Sequence, residues 1–302
     1  MIYRRLERAG LDVSVIGFGC MSLGDDHAAN ARLIHRALDR GVNYFDTADL
    51  YQHGLNEVTL GRALRGRRDS ALVATKVGNQ WRADGSGWDW NPGKAYLKQA
   101  VHDCLRRLET DHIDVLQLHG GTLEDPIDET IEAFEELLQE GHIRHYGLSS
   151  IRPSVIETWT RRSRLVSVMV QLSLLDRRPE EQVLGHLAER QVGVIVRGAV
   201  AKGLLAGKPS ADYLDHSREQ VEAAVAVVES VVEPGTTKGQ LALRYGLACP
   251  GVTSVACGIR TEAQLEESVA AADLPPLSPD QLARLRAGIP ASRYQQHRMS
   301  QP

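Results

Sequence analysis

The chain has 302 residues, 42% of them hydrophobic and 25% charged, and its formal net charge is -4. This composition is typical of a globular protein that is long enough to bury a large core. No block of basic residues with interleaved aromatic side chains indicates a nucleic-acid surface, and no segment approaches the roughly 18 apolar residues that a membrane span requires. We therefore expect a cytoplasmic protein with no nucleic-acid partner and no membrane partner.

In chain order, the sequence begins with two short strand patterns at about 2–6 and 11–14 and then alternates apolar segments with amphipathic helical segments. The helical patterns ARLIHRALDRG and DETIEAFEELLQEG end on Gly41 and Gly141, because glycine commonly terminates helices. The eight apolar segments that we predict as strands are 15–20, 43–48, 71–77, 113–119, 143–150, 167–172, 193–199 and 253–258.

Eight successive strand–helix units predict an α/β fold, a (β/α)8 TIM barrel with a short N-terminal β-hairpin. Length alone permits one domain or two, and the regular repeat favours a single domain over residues 1–302. The alternative is an open doubly wound sheet, which requires a glycine-rich turn that runs directly into a helix. The segment GFGCMSLG at 17–24 has a different glycine spacing and no immediate helix. Two long insertions, 81–93 and about 202–219, are candidate lids.

Cysteine and histidine residues indicate neither a disulfide framework nor a metal site. The four cysteines include no close CxxC pair, so we expect four reduced thiols. His142 and His145 flank Arg144 at the start of a predicted strand, and we interpret them as solvated or capping side chains.

Four side chains with acid–base chemistry stand at or just beyond the ends of predicted strands: Asp46, Tyr51, Lys76 and His119. The carboxyl ends of barrel strands meet at one rim, so we expect these side chains to converge there. A phenol has a reference pKa of about 10, and a nearby ammonium held by a carboxylate helps it to release a proton. The pattern predicts an enzyme.

The segments FDTADLY, ATKVG, LQLHG, YGLSS, VQLSLLDRR, AKGLLAGK and GIRTEAQLEES occur in the order seen in aldo-keto reductases. The chain resembles this family over nearly its whole length. The resemblance implies a barrel enzyme that reduces aldehydes or ketones to alcohols with hydride from a nicotinamide cofactor. It implies that Tyr51 donates the proton, that Lys76 and Asp46 support it, and that His119 orients the carbonyl or relays the proton.

The same resemblance implies where the nicotinamide binds. Ser149, Ser150 and Gln171 match the positions that bind the carboxamide, although the family often has Asn where Ser150 stands. Arg197 occupies the place where many members stack an aromatic ring on the nicotinamide. A guanidinium plane can stack in the same way or reach the pyrophosphate as a bidentate donor, and the sequence leaves both open.

Further along the chain, the resemblance implies a pyrophosphate loop and an adenosine segment. The loop residues are Gly203, Leu204 and Lys208. The adenosine positions are Gly258, Ile259, Gln264 and Ser268. A frequent pattern has Lys, Ser and Arg where Gly258, Ile259 and Gln264 stand, so two cations are missing, and Arg260 remains to contact a 2′-phosphate. We expect NADPH, with NADH as the alternative.

The substrate side of the site is less defined by sequence. Trp81, Trp88 and Trp90 are candidates for an apolar wall that suits aromatic or medium-sized aliphatic carbonyl compounds. Gly120 and Gly121 follow His119 and predict open space near the carbonyl. The expected partner is a small-molecule carbonyl substrate, and the expected state is a monomer or a weak homo-oligomer.

Two other functions are considered. An aldolase-like enzyme could form a Schiff base on Lys76, but Tyr51 and the adenosine segment argue against it. A catalytically weak regulatory protein that only binds cofactor would not need the intact set of four acid–base residues.

Overall fold

The computed structural model describes residues 1–300, and its centre is a closed barrel of eight parallel strands. The strands are β1 Tyr3–Leu6, β2 Leu11–Ser14, β3 Ile16–Gly19, β4 Tyr44–Asp46, β5 Leu72–Val77, β6 Asn79–Trp81, β7 Trp88–Trp90, β8 Ile113–Leu118, β9 Ile143–Ser149, β10 Ser167–Gln171, β11 Gly193–Arg197 and β12 Val252–Gly258. The α-helices are α1 His27–Asp39, α2 Leu55–Ala63, α3 Lys94–Leu108, α4 Ile127–Gln139, α5 Pro153–Arg162, α6 Val183–Glu189, α7 Arg218–Val231, α8 Lys238–Ala248, α9 Glu262–Asp273 and α10 Pro279–Gly288.

The barrel runs in the order β3, β4, β5, β8, β9, β10, β11, β12, and β12 closes on β3. These are the eight strands predicted from the sequence, and the (β/α)8 prediction is confirmed. Strand β8 is buried at all six positions, because one face packs inside the barrel and the other against helices. Gly41 and Gly141 have φ values of +83° and +80°, which explains why the predicted helices end there.

The N-terminal end of the barrel is closed by the antiparallel hairpin of β1 and β2, which was also predicted. Leu6 and Val13 of this hairpin are buried in a cluster with Tyr44, Val115 and other residues of the barrel strands. The hairpin therefore forms a floor, and the opposite rim, where the strands end, is left for function.

Among residues 1–300, no helix combines the length and apolar character needed to cross a bilayer. All four cysteines are buried and free: Cys20, Cys104, Cys249 and Cys257. His142 lies just ahead of β9 and packs edge-to-face on His102, with ring centroids 4.7 Å apart. No group of metal-binding side chains forms in the described part of the chain.

Candidate active site

Lys76 and Asp46 form a buried ion pair inside the rim of the barrel. Asp46 ends β4 and Lys76 lies near the end of the neighbouring β5, so the two side chains come from adjacent strands. Lys76 Nζ donates to Oδ2 of Asp46 at 2.7 Å and to the carbonyl of Thr47 at 2.7 Å. Burial lowers the pKa of Lys76, but Asp46 and Tyr51 more than offset this and leave the pKa raised. The side chain is therefore an ammonium.

Asp46 is held in turn by its neighbours. Burial raises the pKa of Asp46, and the Lys76 charge and the amide of Gln117 oppose that effect. Gln117 Nε2 donates to Oδ1 of Asp46 at 3.4 Å, from an inward position on β8. The carboxylate is thus oriented from two sides.

Tyr51 lies above this pair on a short 3-10 turn, Tyr51–Gly54, that leads into α2. Lys76 Nζ donates to the Tyr51 hydroxyl at 3.3 Å and lies 4.9 Å from the centroid of the ring. The phenol oxygen therefore contacts a positive charge that Asp46 and the Thr47 carbonyl hold in place.

His119 completes the group at the end of β8. Its backbone N–H donates to the carbonyl of Val77 at 2.8 Å, and its ring lies edge-to-face on Tyr51 with centroids 6.0 Å apart. Burial, followed by the charges of Lys76 and Arg197, lowers the pKa of His119 to about 3. The imidazole is therefore neutral at physiological pH. All four predicted acid–base residues come together.

The residues predicted to hold the nicotinamide lie on three adjacent strands. Ser149 ends β9 and is buried, Gln171 ends β10, and Arg197 ends β11. Arg197 Nη1 donates to Oε1 of Gln171 at 2.7 Å, and Gln171 Nε2 donates to Asp176 at 2.9 Å. Ser150 Oγ accepts from the backbone N–H of Arg152 at 3.2 Å, just ahead of α5. The ends of these three strands offer uncharged hydrogen-bonding groups and one cation, Arg197.

The predicted pyrophosphate loop follows β11. Gly203 has φ +96°, and a Cβ there would lie 2.8 Å from Cδ of Lys208, so the lysine side chain crosses the bare backbone. Leu204 is buried beneath the turn. A bare glycine turn beside a lysine suits an anion.

The predicted adenosine segment follows β12. Arg260 is exposed, as a 2′-phosphate contact requires. Its backbone N–H donates to Oε1 of Gln264 at 2.9 Å. The backbone N–H of Gln264 donates to Oγ1 of Thr261 at 3.2 Å, so Thr261 caps the start of α9. Gly258 approaches Ser22, since a Cβ there would lie 2.5 Å from its hydroxyl oxygen. Ser268 lies further along α9. Together, the polar groups at the strand ends, the glycine turn with Lys208, and Arg260 fit a dinucleotide with phosphate groups.

The tryptophan-rich insertion, a candidate lid by sequence, contains a hairpin that was not predicted. β6 and β7 form an antiparallel hairpin in which Trp81 lies opposite Trp88. The Trp81 ring stacks on His53 with centroids 3.6 Å apart, while Trp88 is 46% exposed. Trp90 Nε1 donates to Oδ1 of Asp125 at 2.9 Å, which fixes the hairpin to the rim.

Trp90 also fills space that the sequence predicted to be open. A Cβ at Gly120 would lie 3.3 Å from Cζ3 of Trp90, and one at Gly121 would lie 3.2 Å from Cγ1 of Val155. The prediction of open space beside His119 is wrong, because these glycines accommodate packed neighbours rather than a vacant pocket.

The chain is similar to known proteins over nearly its whole length. The model of the Aldo/keto reductase family matches residues 15–289. The chain belongs to the aldo-keto reductase family. It is 46% identical to the uncharacterized oxidoreductase YqkF of Bacillus subtilis, over 98% of this chain and 99% of that protein.

Solved aldo-keto reductases share the whole architecture. The holo form of aldo-keto reductase AKR11C1 from Bacillus halodurans is 47% identical, with 99% of each chain covered and a TM-score of 0.93. An aldo-keto reductase from Klebsiella pneumoniae in complex with NADPH is 25% identical, with 100% of each chain covered and a TM-score of 0.80.

Several contacts in this aldo-keto reductase were not predicted from its sequence. The Thr47 carbonyl and Gln117 both contact the Lys76–Asp46 pair. Gln117 carried a signal, since it is a polar residue at an inward position of an apolar strand. Glu57 is fully buried and accepts a hydrogen bond from Thr75 of β5, and nothing in the helical pattern around Glu57 indicated its burial.

Proposed function

We propose that this protein is an NAD(P)H-dependent oxidoreductase that reduces an aldehyde or ketone to the corresponding alcohol, with Tyr51 as the proton donor. The observation that carries the proposal is the contact between the Tyr51 hydroxyl and the Lys76 ammonium, which Asp46 holds in place. Lys76 is 1% exposed, so its charge acts with little solvent screening.

The proton step follows from these contacts. The Tyr51 hydroxyl donates a hydrogen bond to the carbonyl oxygen and then transfers its proton as negative charge develops on that oxygen. Lys76 stabilises the phenolate that remains, and Asp46 keeps the lysine protonated and oriented. Bulk water is then the source of the replacement proton.

Substrate positioning is assigned to His119, and cofactor positioning to the polar groups of the adjacent strands. His119 is neutral, so it orients the carbonyl as a hydrogen-bonding group without adding charge. A bound reduced nicotinamide supplies the hydride. Ser149, Ser150 and Gln171 would bind its carboxamide, and Arg197 would have to exchange its bond to Gln171 for a contact with the cofactor.

We assign NADPH as the preferred cofactor and keep NADH as the alternative. Arg260 is exposed beyond β12, where a charge-assisted bond to a 2′-phosphate is possible. Lys208 and the Gly203 turn would bind the pyrophosphate, which both cofactors share.

The substrate class remains a small-molecule carbonyl compound with an apolar part. Trp88 offers an exposed indole face, and Trp81 lies behind His53 close to the Tyr51 turn. Large flat faces favour aromatic or medium-sized aliphatic groups over small polar sugars.

The state of Lys76 argues against Schiff-base chemistry. An amine must be uncharged to attack a carbonyl carbon, and the pKa of Lys76 is raised by Asp46 and Tyr51 against the effect of burial. Trapping of a substrate on Lys76 by borohydride would be the result that favours an aldolase.

The test is a comparison of wild type, Tyr51→Phe and the control Tyr3→Phe with a panel of carbonyl compounds. Tyr3 is exposed on the floor hairpin and donates only to the carbonyl of Gly41. We expect loss of the reduced-nicotinamide absorbance with wild type and the control, and a decrease of about 100-fold or more in kcat with Tyr51→Phe. Full turnover in Tyr51→Phe would remove Tyr51 from the acid role, and tight cofactor binding without any turnover in wild type would favour a regulatory protein.

A further inference from the structure

The turn that carries Tyr51 has an unusual backbone. Gln52, His53 and Gly54 follow Tyr51 with φ values of 51°, 53° and 83°, all in the left-handed region. Non-glycine residues seldom adopt this region, and two in succession must be held by the surrounding structure. The position of the Tyr51 hydroxyl therefore depends on what packs against this turn.

Arg107 of α3 packs against the outer side of the turn. A Cβ at Gly54 would lie 2.6 Å from Cδ and 2.7 Å from Nε of Arg107, so the arginine side chain lies directly on the glycine. No side chain at position 54 is compatible with this contact. Arg107 comes from a helix that contributes none of the four acid–base residues.

Arg107 is itself fixed by a fully buried carboxylate. Its Nε donates to Oε2 of Glu57 at 2.7 Å, and its Nη2 lies 2.6 Å from the same oxygen. Burial lowers the pKa of Arg107, but the nearby charges, that of Glu57 first, more than offset burial. The pKa is therefore raised and the guanidinium keeps its charge. The guanidinium plane therefore has one preferred orientation.

The other oxygen of Glu57 is bonded to the strand that carries Lys76. Thr75 Oγ1 donates to Oε1 of Glu57 at 2.5 Å, and Thr75 immediately precedes Lys76 in β5. The backbone N–H of Asp49 also donates to the carbonyl of Lys76 at 3.2 Å. A continuous set of contacts thus joins the Tyr51 turn to the backbone beside Lys76, outside the barrel.

We propose that Arg107 is a positioning residue for the reaction: held by Glu57 and Thr75, it supports the Tyr51–Gly54 turn and sets the distance between the Tyr51 hydroxyl and Lys76 Nζ. The expected effect of Arg107 on the reaction rate rests on the proposed function, but its expected effect on the position of the turn does not. A misplacement of about 1 Å at a reacting group can cost about 100-fold in rate.

The test compares Arg107→Met with the matched control Arg65→Met. Arg65 follows α2 and pairs with Glu109 at the end of α3, so the control also removes an arginine–glutamate pair between these helices. It does not contact the turn. Crystal structures of both variants would give the Tyr51–Lys76 separation, and kcat, KM and the cofactor dissociation constant would be measured alongside.

In Arg107→Met we expect the separation to exceed 3.3 Å by about 1 Å and kcat to decrease by about 100-fold, with cofactor affinity within twofold of wild type. Arg65→Met should match wild type in all of these. Arg107→Lys, which keeps the charge, should recover part of kcat. An unchanged turn in Arg107→Met, or a displaced turn with unchanged kcat, would overturn the proposal.

A second variant covers the case in which Arg107→Met does not fold. Gly54→Ala places a methyl group against Cδ and Nε of Arg107, so the contact between the turn and Arg107 must change and the Tyr51–Lys76 separation should change with it. A wild-type separation in this variant would also overturn the proposal. If wild type itself shows no reductase activity, the proposed function fails, and the crystallographic comparison still decides whether Arg107 holds the turn.

Discussion

The ammonium of Lys76 contacts the Tyr51 hydroxyl at 3.3 Å while its two other hydrogen bonds go to Asp46 and the Thr47 carbonyl. An ammonium has three donors, so each has one acceptor and none is free to rotate toward another group. The relationship explains how one lysine can remain charged in a buried site and still be directed at the phenol.

Breaking this ion pair should affect both stability and rate. Lys76→Met leaves the buried Asp46 without its partner, and removal of one member of a buried pair typically costs about 3–5 kcal/mol. We expect a lower free energy of unfolding by denaturant and a decrease in kcat of about 100-fold or more. The double variant Lys76→Met/Asp46→Asn should recover stability without recovering kcat. Recovery of both would show that the charge on Lys76 is not needed.

The cofactor assignment predicts different effects for two cations. Arg260→Ala should raise the dissociation constant of NADPH by about 10-fold, since a charge-assisted hydrogen bond contributes about 1.5–3 kcal/mol, and should leave that of NADH unchanged. Lys208→Ala should weaken both cofactors equally, because the pyrophosphate is common to them. Fluorescence titration with each cofactor gives the four constants. Equal loss of NADPH and NADH in Arg260→Ala would contradict the assignment.

His119 should not titrate over the working range of pH. Its pKa is lowered to about 3 by burial, Lys76 and Arg197, whereas the unfolded chain has an ordinary histidine. Below the unfolded pKa of about 6.5 only the unfolded state gains the proton, so stability is lost as the pH falls toward 3. The His119 imidazole resonance, assigned with His119→Gln, should stay constant from pH 8 to pH 5. A titration step in that interval would show a charged imidazole.

Asp49 should make the protein less stable as the pH rises. Burial and the charge of Glu57 raise its pKa to about 8, and one of its oxygens, Oδ1, is buried without a hydrogen-bond partner. The unfolded state releases the proton near pH 4 and the folded state near pH 8, so stability falls between these values.

The variant Asp49→Asn removes this titration. It should match wild type near pH 4 and melt about 2 °C or more above it at pH 8, by thermal unfolding at each pH. Asp25→Asn, at an exposed position, is the control and should follow wild type throughout. Equal melting temperatures of Asp49→Asn and wild type at pH 8 would contradict the prediction.

The barrel could be predicted because its strands are short, apolar and repeated at regular spacing. Strand β8 illustrates this, since all six residues are buried and the sequence alone delimits it to within one residue. The four acid–base residues could be placed on one rim because parallel strands end there. Both results depend only on local pattern and on a general property of the fold.

Contacts between distant segments could not be predicted in this way. Arg107 and Glu57 are 50 residues apart, and no local pattern specifies that they meet. The hairpin of β6 and β7 has strands of only three residues, too short for a periodic signal. Trp90 packs on Gly120 because the hairpin folds back over the rim, and no local pattern in the sequence specifies this contact.

The burial of the cysteines limits their reactivity toward electrophiles. The thiolate is the nucleophile that adds to electrophilic carbonyl carbon, and burial raises the pKa of every thiol here, including Cys249 and Cys257 to about 12. Residues 1–300 therefore present no reactive sulfur nucleophile at the surface, and a carbonyl substrate of the proposed kind would reach Tyr51 without first modifying a thiol.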